Sequence, residues 1–413
     1  MRTRSASLVG SISRPRWTGC CLSLALLTGS APLWADDQDV VNVVAGLSSQ
    51  YDSNLFRLPT GFDANRVFGK SERSDLITAG TLGLRVDKPF ASQRVTLDAR
   101  LVNYRYATYS NLDFTAKNYT GAWRWAFTPN VVGNLTADRQ EFLNSFVDYR
   151  DFSTPRNLRT IRNERFDMEA NAQGTWRLVG AIGQRTQNNS ENFFQDGDFR
   201  LRYYEVGGRY VSLAGNSVTL LTRQGSGDYL KRQANPFNQL DSEFTQSEEE
   251  LRVQWQLTGK TSLNAKLNYV SREHKNFVSR NYSGTQGRLE WNWDATAKTR
   301  LQLVGSRDLA AYQDFFSSYT VTETYSVIPS WQITDTTLLR LQWDNIYRDF
   351  RGGLLSISPA RRDVLRNTQL SLDWKPTRTI QLSTFIQHYS RVSNFFGYDY
   401  SGNAVGVSGQ ITF

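Results

Sequence analysis

Two histidines, His274 and His388, are the candidate general bases in this 413-residue chain, and each has a serine within three positions, Ser271 and Ser390. Hydrolysis by such a pair needs the hydroxyl within hydrogen-bond reach of the imidazole and a third group to orient the ring. The histidines lie 114 residues apart, each near the end of an alternating segment, and no nucleophile-elbow pattern surrounds either serine. Metal-binding spacings such as HxxxH or HExxH are absent, and the two cysteines, Cys20 and Cys21, sit together near the amino terminus. The glycine-rich pieces GVSG and RGG lack the strand–loop–helix setting of a phosphate cradle. The expectation is a protein that is not an enzyme, with no cofactor and no metal.

The remaining candidates are charged. Arg100, Arg124, Arg165, Asp167, Glu169, Arg252, Arg288, Glu290, Asp294, Arg340, Asp344 and Asp373 all take the polar parity of alternating segments. A row of mixed charge among Gln, Asn, Thr and aromatic residues suits the wall of a water-filled passage for a hydrated polar solute such as a glycan. It also suits ordinary ion pairing along that wall. Basic and aromatic residues interleave in NYRYATY (Asn103–Tyr109) and RLRYYE (Arg200–Glu205). In an exported chain these read as a strand rim with interfacial tyrosines, so nucleic acid is not an expected partner.

Strands must position these residues. From Asn403 the chain ends NAVGVSGQITF, with Val405, Val407, Gly409, Ile411 and Phe413 on one face and small or polar residues on the other. Similar alternation runs through Arg165–Trp176, Glu250–Leu257, Gly287–Ala295, Leu339–Asp344 and Asn367–Trp374. Turn signals recur near Pro89, Pro129, Val179, Gly215, Gly259, Thr296, Asp335 and Pro376, at intervals of 36 to 50 residues. Trp125, Trp176, Trp255, Trp293, Trp331 and Trp374 lie within a few residues of these turns, with Tyr210 in the same place before Gly215. One aromatic girdle at one membrane face requires this placement. Eight short turns, a first strand at Val40–Tyr51 and a last at Asp399–Phe413 give eighteen strands, to within two. The alternation alone also fits a soluble sandwich; exported character, tryptophan placement and the terminal Phe favour the inverted, membrane-facing arrangement.

Mean hydropathy is −0.50 although aromatics reach 13%, as expected when every second strand residue faces lipid. Arg2, Arg4, Arg14 and Arg16, the apolar run Cys20–Leu27 and the small residues Ala31–Ala35 read as a signal peptide cleaved near Ala35. Residues 36–413 are then the barrel domain. Cleavage removes four basic and no acidic residues, leaving 44 against 39, a net +5, and no cysteine for disulfides. No stretch beyond the signal is apolar enough for a spanning helix, so entry into a bilayer requires a closed barrel. The expected architecture is an all-β, transmembrane antiparallel barrel of about eighteen strands in a Gram-negative outer membrane. Both termini and the short turns face the periplasm, longer loops face outward, and Phe413 serves as the carboxyl-terminal signal for the barrel assembly machinery.

One further motif follows the first strand: Tyr51, Asp52, Ser53, Asn54, Leu55, Phe56, Arg57, Leu58. Asp52 and Asn54 suit an Asx-type turn at the strand end, and Leu55 and Phe56 suit packing beneath it. This segment resembles the YDxNLFRL signature of the EpsL-type outer-membrane proteins that accompany exosortase-linked exopolysaccharide loci. That resemblance implies a role in exopolysaccharide export, as a passive conduit or secretion-complex component, with exopolysaccharide, outer-membrane lipid and periplasmic export components as partners. The alternative is a general or solute-selective diffusion porin with a long loop folded inward, for which Arg139–Asn163 and Gly225–Ser247 are candidates.

Overall fold

The computed structural model describes residues 40–147, 156–191, 197–314, 316–355 and 359–413; the expected signal segment lies outside them. Nine strands form the first half of the wall: β1 (Val41–Asp52), β2 (Asp75–Phe90), β3 (Gln93–Tyr106), β4 (Phe114–Thr128), β5 (Val131–Leu143), β6 (Leu158–Gln173), β7 (Trp176–Asn189), β8 (Phe199–Val211) and β9 (Ser217–Tyr229). Nine more complete it: β10 (Glu243–Thr258), β11 (Thr261–His274), β12 (Tyr282–Asp294), β13 (Thr299–Ala311), β14 (Ser317–Thr334), β15 (Thr337–Gly352), β16 (Arg362–Trp374), β17 (Ile380–Ser393) and β18 (Tyr400–Thr412). A short helix, α1 (Ala64–Phe68), interrupts the β1–β2 loop. Each strand pairs antiparallel with its chain neighbours, and β1 pairs with β18 from Val44↔Thr412 to Asp52↔Ala404. The sheet is therefore a closed eighteen-stranded barrel. No described helix is long and apolar enough to cross a membrane.

Register identifies the two faces. Arg165 on β6 reaches Glu205 on β8 across the intervening β7, and Glu169 reaches Arg209 the same way. Side chains two strands apart converge on the concave side of a curved sheet, so this parity is the interior. The other parity carries exposed apolar residues, among them Leu178 at 63% and Ile182 at 62%. In water that arrangement would leave a large apolar surface; against acyl chains it is the favourable one.

Eight short connections cluster at one rim, where β1 starts and β18 ends. Seven fall at or within a few residues of the turn positions read from the sequence. The eighth is a correction: the β6–β7 turn is at Gly174–Thr175, closed by the pair Gln173↔Trp176, and Val179 lies inside β7. Gly174 has φ +57°, which the first position of a two-residue hairpin turn demands and which glycine adopts without strain. The alternation continues across this turn, so periodicity ran the strand past its end to Trp176. The strands are also longer, 12 to 18 residues, than the ten or so a bilayer needs. The excess makes the wall taller than a bilayer alone requires.

All six girdle tryptophans take outward parity. Trp176, Trp255, Trp293, Trp331 and Trp374 are exposed, but Trp125 is 2% exposed. Its ring lies across Gly133 and stacks on Phe166, centroids 5.6 Å apart. A side chain at position 133 would collide with that ring and with the Asp167 carbonyl, whereas a Cβ on the outward Gly180 meets only ordinary contact at 3.6 Å. Gly133→Val should therefore lower stability by about 1–3 kcal/mol, the usual cost of overpacking. Gly180→Ala should be nearly neutral. Urea unfolding in lipid vesicles, followed by tryptophan emission, measures both.

Candidate functional site

The motif after β1 closes on its own chain. Asp52, 2% exposed, accepts the Asn54 backbone N–H at 2.9 Å, the Asx turn that its residue type favours. Arg57 Nη1 donates to Asp52 Oδ2 at 2.9 Å and to the Tyr389 hydroxyl at 2.6 Å, while that hydroxyl donates to Asp52 Oδ1. The guanidinium also lies 3.9 Å above the Tyr389 ring. Asn54 Nδ2 donates to Leu58 O at 2.9 Å and Ser401 O at 3.0 Å, and Ser53 and Asn403 exchange further bonds. Tyr51 points outward and is exposed. The cluster thus ties the start of the β1–β2 loop to β17 and β18.

Beyond the cluster, Leu55, Phe56 and Leu58 pack with Ala64, Tyr109 and Leu112, and with Tyr106, Phe114 and Ala116 of β3 and β4. The Phe56 ring meets Phe68, Tyr109 and Phe146 at centroid distances of 4.5, 4.6 and 4.8 Å. Tyr104 and Tyr106 have interior parity and turn into this cap, and Tyr203 also faces inward; only Tyr204 among these takes the interfacial, outward place read from the sequence. Phe146 and Val147 belong to the β5–β6 loop, one of the two inward-loop candidates. Val147 packs against the cluster of Tyr389, Tyr400 and Ala404 on the far side of the seam, and its carbonyl accepts from Arg391 Nη1 at 2.6 Å.

The second candidate loop, between β9 and β10, is knotted to its neighbours. Arg280, 1% exposed, donates to Asn238 O at 2.6 Å and Asp314 O at 2.7 Å. Arg232 donates to Asp241 O at 2.6 Å and to Gln313 at 2.8 Å, with its guanidinium 3.4 Å over the Tyr229 ring. Burial pushes the Asp314 and Asp198 carboxyls up. Asp241 is also desolvated, but the N–H groups of Asn276, Ser242 and Phe277 hold it below the ordinary carboxylate value. Beneath these loops is a cavity of about 870 Å³ lined from β6 to β13. Six arginines line it, against Glu248 and Asp314.

The wall residues read from the sequence share the interior parity and are mostly paired. Arg165 contacts Glu205 at 2.5 Å and Asp167 at 3.5 Å; Glu169 takes Arg209 at 3.0 Å. Arg252 and Lys266 both pair with Glu250, which is 2% exposed. Arg100 pairs with Asp98 at 2.6 Å, Arg288 with Glu290 at 3.3 Å and Asp294 with Arg300 at 2.6 Å. Asp344 accepts from Gln342 and Asn367, and Asp373 from Ser383. The side chains of Arg124 and Arg340 have no bonded partner among the described residues. Arg185, Glu205, Arg223, Glu248 and Arg272 were not singled out in the sequence: Glu248 precedes the patterned part of β10, and the strands of the others carry weaker alternation. Their interior parity with respect to Arg165 and Arg252 is the signal that register would have supplied.

The two histidines lie on opposite faces. His274 faces inward, stacked beside Tyr229 at 6.4 Å, with Nε2 3.0 Å from Gln313. His388 faces outward and bonds Asn403 at 2.8 Å. Ser271 and Ser390 both take outward parity. Among the described residues no group of three or more His, Cys, Asp or Glu converges as a metal site.

Arg57 holds a positive φ of 57° while serving the buried Asp52. Arg57→Ala should cost about 1–3 kcal/mol, because Asp52 loses its counter-charge at a partly exposed pair. Arg57→Gly should recover about 1 kcal/mol of that by relieving the left-handed backbone. Chemical denaturation compares the variants directly.

No family model and no curated protein matches the chain. Solved structures do. OccK2 (OpdF) of Pseudomonas aeruginosa, in complex with glucuronate, aligns with TM-score 0.51 and 13% identity over 90% of this chain and 98% of that one. OpdK of Pseudomonas aeruginosa, with vanillate, gives 0.50 and 10% over 90% and 99%. A BenF-like porin from Pseudomonas fluorescens gives 0.50 and 9% over the same shares. The fold is that of these outer-membrane porins. The EpsL-type resemblance and the exopolysaccharide-export role it implied are corrected accordingly. The physical reason lies in the motif: Asp52, Asn54 and Arg57 spend their bonds on the chain's own seam, and Leu55 and Phe56 on the cap. Such a segment marks how a strand ends and carries no information about cargo.

Proposed function

We propose that the chain is a solute-selective diffusion porin seated in an outer membrane. One observation carries the reading: a closed barrel whose charged wall is turned inward and encloses a cavity of about 870 Å³. That volume lies within the range of small-molecule sites, about 300–1,000 Å³, and its lining is polar enough to replace part of a solute's hydration shell. The similar structures that hold glucuronate and vanillate support the passage of small polar molecules. In this reading residues 1–35 are a cleaved export signal, and the short-turn rim, with both ends of the barrel, faces the periplasm. The exposed tryptophans lie at that interface, Phe413 addresses the assembly machinery, and Arg165, Asp167, Glu169, Arg252 and Glu290 belong to the conducting wall. The long-loop rim then faces outward, where Phe146 and Val147 at the start of the β5–β6 loop pack toward the seam.

Reconstitution in planar bilayers tests this. Stepwise, voltage-tolerant conductance from the purified barrel, with uptake of small solutes into vesicles and exclusion of oligosaccharides, is the expected result. A correctly folded, heat-modifiable barrel that inserts and yet gives neither conductance steps nor solute uptake would sink the proposal.

A further inference from the structure

The conducting wall leaves one basic and aromatic alternation unused, that of Arg200, Arg202 and Tyr204 on β8. All three take outward parity, away from the lumen. The register sets them in rows with β6 and β7. Phe166, Ile182 and Tyr204 lie level with one another, then Glu164, Gln184 and Arg202, then Arg162, Thr186 and Arg200. The first row is apolar and exposed; the next two are polar. In the membrane seating proposed above, the edge of the hydrocarbon layer on this sector falls at Tyr204, as Tyr210 marks the other edge on the same strand. Arg162, Arg200 and Arg202 then stand one or two rows beyond that edge, at headgroup depth.

These guanidiniums are not neutralised. Among the described residues Arg162 and Arg200 have no side-chain hydrogen bond or ion pair, and Arg202 donates only to the neutral Gln184, at 3.3 Å. Arg200 Nε is screened from water and has no hydrogen-bond partner. Arg139 on β5 stands directly opposite Arg162, a like-charge pair that destabilises a bare sheet. The nearby acids do not relieve it. Glu141 is taken by Arg139 at 3.0 Å, Glu164 accepts from Gln184 at 3.3 Å, and Asp228, opposite Arg200 in the ladder, makes no ion pair with it. Elsewhere at this end of the outward face Arg105 pairs with Asp113 at 2.9 Å, Lys275 with Glu243 at 3.0 Å and Arg351 with Asp349 at 2.8 Å. Arg162 and Arg200 flank Thr186, which is buried although its parity is outward. Their strands lie two spacings apart, about 10 Å, so two arginine side chains can converge on one anion over β7. We propose that Arg162, Arg200 and Arg202 form a site for the phosphomonoester headgroup of a membrane lipid in the leaflet at the long-loop rim. Guanidinium forks match phosphate oxygens in pairs, and the apolar row beneath would take the acyl chains of the same molecule. A free phosphate would use the first feature and not the second. The site rests on the membrane seating and not on conduction.

The test is lipid retention by the folded, detergent-solubilised barrel in native mass spectrometry, with phosphatidic acid and phosphatidylcholine of one chain length as probes and inorganic phosphate as competitor. Phosphatidic acid should be retained and phosphatidylcholine should not, and inorganic phosphate at equal concentration should not displace the lipid. An arginine close to an anionic lipid counts for about fivefold in affinity. Arg200→Gln, which removes no bond of the fold, should therefore weaken phosphatidic acid about fivefold, and Arg162→Gln, Arg200→Gln and Arg202→Gln together about fiftyfold or more. Arg366→Gln, the same charge change on the outward face of β16, should leave retention unchanged. Heat-modifiable migration checks that each variant is folded. Equal retention of the two lipids, unchanged retention in the triple variant, or an equal loss from Arg366→Gln overturns the site. Displacement by inorganic phosphate at equal concentration overturns its assignment to a lipid. Conductance recorded on the same preparations keeps the two ideas apart. The triple variant should conduct as the native barrel does, and a native barrel that holds the lipid without conducting sinks the porin reading and leaves the site standing.

Discussion

A sheet in contact with acyl chains must have every edge N–H and C=O paired, since nothing in the hydrocarbon can replace a lost bond. Seventeen of the junctions in this wall are tied by a connecting loop as well as by their ladder. The junction of β1 with β18 has the ladder alone, nine residue pairs from Val44↔Thr412 to Asp52↔Ala404. Closure therefore depends on the place where the chain gives it least covalent help. The Asp52–Asn54–Arg57 cluster lies at the long-loop end of that ladder and reaches both β18 and β17. The cap and the Val147–Arg391 crossing are built outward from the same point.

Closure also decides what the inner wall can be. Interior side chains share a narrow, wet space, where a single charge must be paired, solvated or left to attract a mobile ion. Around β6 to β11 the chain pairs them: Glu205 and Glu250 are buried among Arg165, Arg223, Arg252 and Lys266. Around β13 to β18 the interior is mostly amide and hydroxyl: Gln302, Ser326, Ser330, Gln332, Gln342, Gln369, Ser383 and Gln387. The lumen is thus more densely ionic on the β6–β11 side, whereas β13 to β18 set amides and hydroxyls around Arg300, Arg340, Asp344 and Asp373. Charge imbalance is concentrated under the roof of loops, where the arginines outnumber the acids.

Much of this was legible before any coordinates. Phe166 with Met168, Leu251 with Val253, and Leu370 with Leu372 alternate against polar or charged partners, and that period marked the strands and which residues share a face. Short turns marked by Pro and Gly gave the strand number. What failed did so for local reasons. Gly174 was passed over because the alternation ran on through a two-residue turn. Trp125 shares its sequence context with the other girdle tryptophans, yet the missing side chain of Gly133 on the next strand lets its ring lie flat and disappear from the surface. The site was legible only in part. Arg165 and Arg252 stand in well-patterned strands, whereas Arg185 and Arg272 lie 87 residues apart and come to line one cavity only through the register of β7 to β11.

The same contrast explains why a contiguous motif pointed to the wrong cargo. Residues 51–58 interact with one another and with the seam, so their spacing is set by local geometry that any barrel with a similar first loop would reuse. Selectivity in a barrel is written differently. Each strand contributes one or two interior side chains at a given height, and neighbouring contributions are separated in sequence by a whole strand and its connection. A run of eight residues cannot encode such a ring. The residues that decide what passes are found by asking which interior charges remain after the wall has paired its own. In this barrel Asp52 and Arg57 satisfy each other, and the interior charges without a bonded partner among the described residues include Arg124, Arg185 and Arg340.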